Sequence, residues 1–197
     1  GTALVAVQPI FAALFVKRSG GHIPSTAWLG MIVSFVGVVM VSGVDLTISF
    51  RSFVGDIAAI ISAALAAAYM MAGSKAQQTL ETSTYTTIAY FVCSITALPM
   101  ALLLGNEIFS FSAKEWLIVL GLILGAQLLG HTMFNSALKR VSPAIVSLIV
   151  FFEVPVSAVL AAWWLDQTPP IGVIPGIVLI LAGCILVVTR TRESKND

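Results

Sequence analysis

Residues 153–187 read EVPVSAVLAAWWLDQTPPIGVIPGIVLILAGCILV, and residues 7–41 read VQPIFAALFVKRSGGHIPSTAWLGMIVSFVGVVMV. Slid by 146 positions without a gap, Pro9 falls on Pro155, Pro24 on Pro170, Gly30 on Gly176 and Gly37 on Gly183. Ala12/Ala158, Leu14/Leu160 and Val41/Val187 also match, but common apolar residues coincide easily. The Pro and Gly matches weigh more, because these residues fix local backbone geometry. The rival reading is a chance alignment of two hydrophobic hairpins. An internal duplication predicts a fold built from two related halves.

Composition says which solvent that fold meets. The 197 residues are 58% hydrophobic and 10% charged, with a mean hydropathy of +1.02. A soluble domain carries about 25% charged residues, so this chain cannot cover itself with a charged surface. Lipid as solvent admits only helices or closed barrels, because the backbone must satisfy itself. The apolar runs, about 15 to 22 residues long and without alternation, predict an all-α, polytopic transmembrane bundle. The first run begins Gly1-Thr2-Ala3 and is basic at its far end, the reverse of a signal peptide. A net charge of +1 with no basic, aromatic-interleaved face gives no reason to expect a nucleic-acid partner. Cys93 and Cys184 lie inside apolar runs and fit no metal-ligand spacing, so neither a metal nor a cofactor is expected.

Seven spans are expected, at 2–16, 26–43, 53–72, 84–104, 116–138, 144–165 and 171–189. Lys17, Arg18, Lys75, Lys139, Arg140, Arg190, Arg192 and Lys195 follow odd-numbered spans, whereas Arg51 and Lys114 follow even-numbered ones. The excess of basic residues marks the cytoplasmic side, which places the C-terminus in the cytoplasm; the expected location of such a protein is a cell's inner (plasma) membrane. Trp28, Trp116, Trp163 and Trp164 stand at span ends, where indole rings settle at the interface. Span one then runs inward and its copy, span six, runs outward, so the repeat is inverted. Inverted repeats mark secondary transporters, whose halves rock about a site between them. Residues 53–190 are expected to form one complete five-helix repeat and 1–43 the last two helices of the other. Residues 44–52 join them and 191–197 form a cytoplasmic tail. Projecting Phe53 back by the same offset calls for about 90 to 100 further residues and three more spans ahead of Gly1, for ten in all; the alternative is a seven-span protein with a degenerate repeat.

The motifs agree with that architecture. Gly130-His131-Thr132-Met133-Phe134-Asn135, Val141-Ser142-Pro143-Ala144, Glu153-Val154-Pro155 and Gly176…Gly183, with Val7-Gln8-Pro9 and Gly30…Gly37 in the first copy, resemble an EamA-type member of the drug/metabolite transporter superfamily. The resemblance covers essentially the whole chain. It implies ten helices in two inverted repeats, both termini cytoplasmic, and export or exchange of small metabolites. Two departures stand out: Val154 separates Glu153 from Pro155, and Leu165-Asp166 stands where many members carry Gly-Glu.

Glu153 is the one carboxylate well inside a span, ~15 Å from Pro143 at 1.5 Å per residue, which is near the bilayer midplane. A charge there is costly unless it faces a cavity or a partner. It is expected to bind an amine or other cation, or to exchange a proton for substrate; the bland reading is a hydrogen-bonded acid that holds helices together. Pro155 cannot donate to the carbonyl of Phe151, and Pro9 holds the equivalent place, so both are expected at helix kinks. Gln127, His131 and Asn135, four residues apart, share one helical face, with His131 about 12 Å from the Lys139 end. That stripe is expected to line the cavity; the alternative is plain interhelical hydrogen bonding. Tyr69 and Tyr90 are expected to add a ring and a hydroxyl each, or to act as interface anchors. The Ala-rich run Ala63–Ala68, Gly121-xxx-Gly125 and Gly172-xxx-Gly176 are expected to let helices approach closely.

The expectation is therefore a non-enzymatic exporter or exchanger of a small amino-acid or amine-like molecule, working by alternating access in the lipid bilayer, with protons as a coupling partner. A passive pore or a scaffold is the second class. An intramembrane enzyme using His131 and Glu153 is the third, and it lacks a nucleophile or metal beside them. Oligomeric state is not readable.

Overall fold

The computed structural model describes residues 2–42, 50–105, 110–164, 166 and 171–193. The expected loop 44–52 and tail 191–197 lie largely outside these, as does Pro170. Among the described residues the regular structure is all helical: α1 (Thr2–Val5), α2 (Gln8–Arg18), α3 (Ser25–Ser42), α4 (Phe50–Ala76), α5 (Thr82–Leu103), α6 (Ala113–Leu122), a π-helical stretch (Ile123–His131), α7 (Thr132–Ala137), α8 (Pro143–Val146), α9 (Ile149–Trp164) and α10 (Val173–Glu193).

The helix ends follow local chemistry. α2 closes on Lys17 and Arg18, cations that suit the negative end of the helix dipole. Gly20 then takes φ +86°, the left-handed turn that releases the chain. α6 opens on a reciprocal cap: Glu115 N–H donates to Ser112 Oγ at 3.4 Å, and Ser112 N–H donates to Glu115 Oε2 at 2.7 Å. This Ser-x-x-Glu box starts the helix three residues before the expected span.

Four helical segments are long and apolar enough to cross a membrane: Phe53–Ala76, Thr82–Leu103, Ala113–Ala137 and Pro143–Trp164. Ser25–Val41 and Val173–Thr189 are apolar but shorter. The expected first span is not one rod, because α1 and α2 are separated by a turn at Ala6 and Val7. Pro9, in the first turn of α2, has no N–H for the carbonyl of Val5, and Val7 N–H reaches back only three residues, to Leu4. Exposed Leu103, Leu117, Leu129 and Met133 would be a liability in water and suit hydrocarbon.

The described helices form two compact units, residues 1–71 with 142–197, and residues 72–141. The first is organised by α3 and α10. A Cβ on Gly30 would meet the Gly183 carbonyl oxygen at 2.6 Å, and one on Gly37 would meet that of Gly176 at 2.5 Å. As α3 advances from 30 to 37, α10 recedes from 183 to 176, so the helices run antiparallel with backbones in contact. Between the glycine pairs, Ser34 Oγ donates to the carbonyl of Ile180 at 3.1 Å and lies 3.6 Å from Cys184 Sγ. Met31, Val38, Ile180, Cys184 and Val187 complete the core with Ala13, Leu148 and Phe151. Close approach thus falls at glycines seven apart. The expected contacts of Gly121, Gly125 and Gly172 are not made among the described residues, where a Cβ on each would have nothing within 4 Å. A Gly-xxx-Gly spacing leaves a groove, and only a partner ridge makes it a contact.

Candidate functional site

The first unit holds a cleft of about 540 Å³, within the usual range for small-molecule sites. α4 contributes Gly55, Ala58, Ala59 and Ser62, and α9 contributes Val150, Glu153, Val154 and Ser157. Each set follows the i, i+3, i+4, i+7 spacing that defines one helical face. Val5 and Ala6 complete the lining where α1 gives way to α2. The α4 face carries no side chain larger than serine's, so that face is what leaves the cleft open. Glu153 is the one titratable residue among the described lining residues.

Glu153, itself exposed, follows a local backbone irregularity. Between α8 and α9 the chain tightens: Leu148 N–H donates to Ile145, Val150 N–H to Ser147 and Phe151 N–H to Leu148, all over three residues, as in a 3₁₀ turn. Ser147, fully buried, spends its hydroxyl on the carbonyl of Ala144 at 2.8 Å. Glu153 stands in the first turns after this break. α9 runs on through Pro155, which is buried. Pro155 removes the donor to Phe151, and the Ser157 hydroxyl donates to the carbonyls of Glu153 and Val154. Pro9 is buried in the first turn of α2. Tyr69 lies seven residues beyond Ser62 on α4, half-buried, and is not among the lining residues.

The second unit holds the polar stripe, which its helix divides. The π-helical stretch contains Gln127 and His131, and α7 contains Asn135. The hydroxyl of Tyr90 donates to the Gln127 carbonyl at 3.2 Å and lies 3.4 Å from Thr132 Oγ1. Asn135 is fully buried; its amide donates to the carbonyl of His131 at 2.9 Å, and Gln77 Nε2 donates to the Asn135 carbonyl at the same distance. His131 is itself exposed, its ring edge-on to Phe134. The structure therefore joins Tyr90 to Gln127 and Asn135 to the His131 backbone, and leaves the imidazole outside that network.

Three polar residues escaped the sequence reading. Gln8 is buried, with Nε2 3.7 Å from Met70 Sδ. It directly precedes Pro9 in an apolar run, and that was its signal. Gln77 is buried, but it lay beyond the expected end of its span. Ser157 stands one turn after Glu153 and reads as an ordinary small residue. Among the described residues no group of three or more His, Cys, Asp or Glu could hold a metal ion.

Comparison with known proteins adds the family. Residues 53–189 match the EamA-like transporter family. The chain is 24% identical over 194 residues to an uncharacterized transporter of Archaeoglobus fulgidus, a match covering 96% of this chain. The chain spans 66% of that relative's length. No solved structure matches it.

Proposed function

The chain belongs to the EamA-like transporter family and is a multi-pass helical membrane protein, and from that premise we propose that it carries a small amine-bearing metabolite across a cell's inner membrane, with Glu153 as the group that receives it. The observation that carries this reading is the cleft, where the one acid among the described lining residues meets two interrupted helices. Discontinuous helices near a binding site are a recurrent feature of secondary transporters.

Alternating access is supported by the way α3 meets α10. Advancing Gly30 and Gly37 by 146 residues gives Gly176 and Gly183, and the contacts pair Gly30 with Gly183 and Gly37 with Gly176. Ser34, advanced likewise, gives its own partner, Ile180. Each contact maps onto the other with its members exchanged, as contacts across a two-fold axis do. Residues 53–190 then act as one five-helix repeat and 1–43 repeat its last two helices in inverted topology, the C-terminus being cytoplasmic. Glu153 binds substrate and proton in turn, and the protein performs no covalent chemistry. Tyr69 in the first unit, and the Tyr90, Gln127 and Asn135 network with His131 in the second, are further candidates for a part in transport, each within its own unit.

The test is uptake of labelled amines by everted membrane vesicles from cells expressing the gene that encodes this chain. Removing the charge in Glu153→Gln is expected to lower uptake roughly tenfold or more, since an unpaired cation in an apolar site is costly. Ser157→Ala is expected to retain most of it. Full, pH-independent activity of Glu153→Gln would overturn both the binding and the proton-exchange roles.

A further inference from the structure

The second unit brings three cations together at one end. Ser74 Oγ donates to the carbonyl of Leu138 at 3.3 Å, and Gln77 Nε2 donates to that of Asn135 at 2.9 Å, so the end of α4 lies against the end of α7. Lys75 directly follows Ser74, and Lys139 and Arg140 directly follow Leu138; all three are exposed. We propose that this junction is a docking surface for an acidic phospholipid, whose headgroup phosphate is held by Lys75, Lys139 and Arg140. The proposal rests on neither the cleft nor the transport reading.

Position selects a lipid as the source of the phosphate. The two segments that end here, Phe53–Ala76 and Ala113–Ala137, are both long and apolar enough to cross a membrane. Lys75 stands in the last turn of the first, and Lys139 and Arg140 stand just beyond the second. Span ends are the depth at which headgroups lie. The long stems of Lys and Arg run along apolar surface and carry the charge outward. Leu80 and Val141, whose N–H groups fold back onto the carbonyls of Ala76 and Ala137, are exposed at the same two ends. They offer apolar contact that an acyl chain uses and a soluble anion does not.

The helix ends themselves do not call for these side chains. The carbonyls of Lys75 and Ala76 accept from the N–H groups of Gln78 and Thr79, and those of Ser136 and Ala137 from Lys139 and Arg140, so both last turns close on backbone. One acid shares the end. A Cβ on Gly73 would meet the Tyr85 hydroxyl at 2.7 Å, which sets the first turn of α5 against α4 and brings exposed Glu81, the residue before α5, to the same side. Three cations against Glu81 leave a positive excess. Each basic residue near an anionic surface is worth roughly fivefold in binding, so acidic lipid gains over zwitterionic lipid. Arg140 adds a fork of donors that matches two phosphate oxygens. The bland reading gives the three cations only the task of orienting the chain during insertion, a role that creates no preference among lipids in the folded protein.

The experiment titrates the purified chain, in neutral detergent, with dioleoylphosphatidylglycerol or dioleoylphosphatidylcholine, and counts bound lipid by native mass spectrometry. Wild type is expected to prefer the glycerol lipid roughly tenfold or more. The triple variant Lys75→Gln, Lys139→Gln, Arg140→Gln should lose that preference while keeping its helical circular dichroism. Glu81→Gln removes no cation and should strengthen binding of the glycerol lipid about twofold or more. Lys114→Gln, at the other end of the Ala113–Ala137 segment, should leave the preference unchanged, and millimolar inorganic phosphate should not displace the lipid. Equal binding of the two lipids by wild type, or a preference that survives in the folded triple variant, overturns the surface. A loss in Lys114→Gln as large as in the triple variant overturns its location. Displacement by inorganic phosphate overturns the lipid and marks a site for a soluble anion. If the triple variant does not fold, Glu81→Gln decides: absence of any gain overturns the proposal.

Discussion

Gly30 and Gly183 lie backbone to backbone: a Cβ on Gly30 would stand 2.6 Å from the carbonyl oxygen of Gly183 and 2.7 Å from a methyl of Val187. Between membrane helices there is little hydrophobic drive, so association rests on van der Waals fit and interhelical hydrogen bonds. This contact, its partner at Gly37 and Gly176, and the Ser34 hydroxyl between them supply both.

Gly30→Ala and Gly183→Ala should each destabilise the fold by roughly 1–3 kcal/mol, because the clashing atoms include main chain and the helices must part. Gly121→Ala, with nothing near its Cβ position, should be neutral or stabilising by up to about 1 kcal/mol through helix propensity. Thermal unfolding in detergent, followed by circular dichroism, separates the two classes. Equal effects at all three sites would contradict the α3–α10 packing.

The two thiols should differ in access. Cys93 is exposed and Cys184 is buried, with 2% of its surface accessible. A maleimide in mild detergent should label Cys93 first, and Cys184 only as denaturant opens the α3–α10 seam. Comparable labelling of both in folded protein would count against the seam.

Gln77 is a test of polar accounting. Its amide nitrogen donates to the Asn135 carbonyl at 2.9 Å, while Oε1 is buried without a partner among the described residues. Gln77→Met keeps the volume, loses one hydrogen bond and also removes a stranded acceptor, so stability should change by less than about 1 kcal/mol. Gln77→Ala should cost about 2 kcal/mol or more through the cavity it leaves. Equilibrium unfolding checks both, and a large loss in Gln77→Met would mean that Oε1 is engaged after all.

Tyr90→Phe should leave the global fold intact and cost roughly 0.6 kcal/mol, the usual worth of one interhelical hydrogen bond in a membrane. Its effect should be local, seen as faster amide exchange across Ile123–His131, whose carbonyl at Gln127 the phenol holds. Unchanged exchange there would show that the π-helical stretch needs no such support.

Helix class and the approximate course of the chain could be read from apolar run length alone, since lipid leaves few alternatives. Glu153 could be singled out as the one carboxylate well inside an expected span, and Pro9 by marking where an amide donor is missing. Other features had no such signal. The Ser112–Glu115 box was visible as a motif but sat outside the apolar run that set the boundary. The interruption at Ser147 and Leu148 involves no Gly or Pro within the break itself, so nothing local announces it. Which glycines touch depends on the partner helix, not on spacing within one helix: Gly121 and Gly125 have the right interval and no neighbour within 4 Å, whereas Gly30 and Gly183 are far apart in sequence and meet. The π-helical stretch likewise depends on hydrogen-bond register, which side-chain pattern does not encode.

The Ser34–Ile180 bond has a consequence for how the protein is made. Its two residues are 146 positions apart. At a synthesis rate of roughly 5–20 residues per second, α3 leaves the ribosome about 7 to 30 seconds before the segment that receives it. Throughout that interval the Ser34 hydroxyl and the bare glycine ridge have no native mate, and whatever holds nascent helices at the insertion machinery must shield them. The seam is therefore among the last parts of the first unit to close.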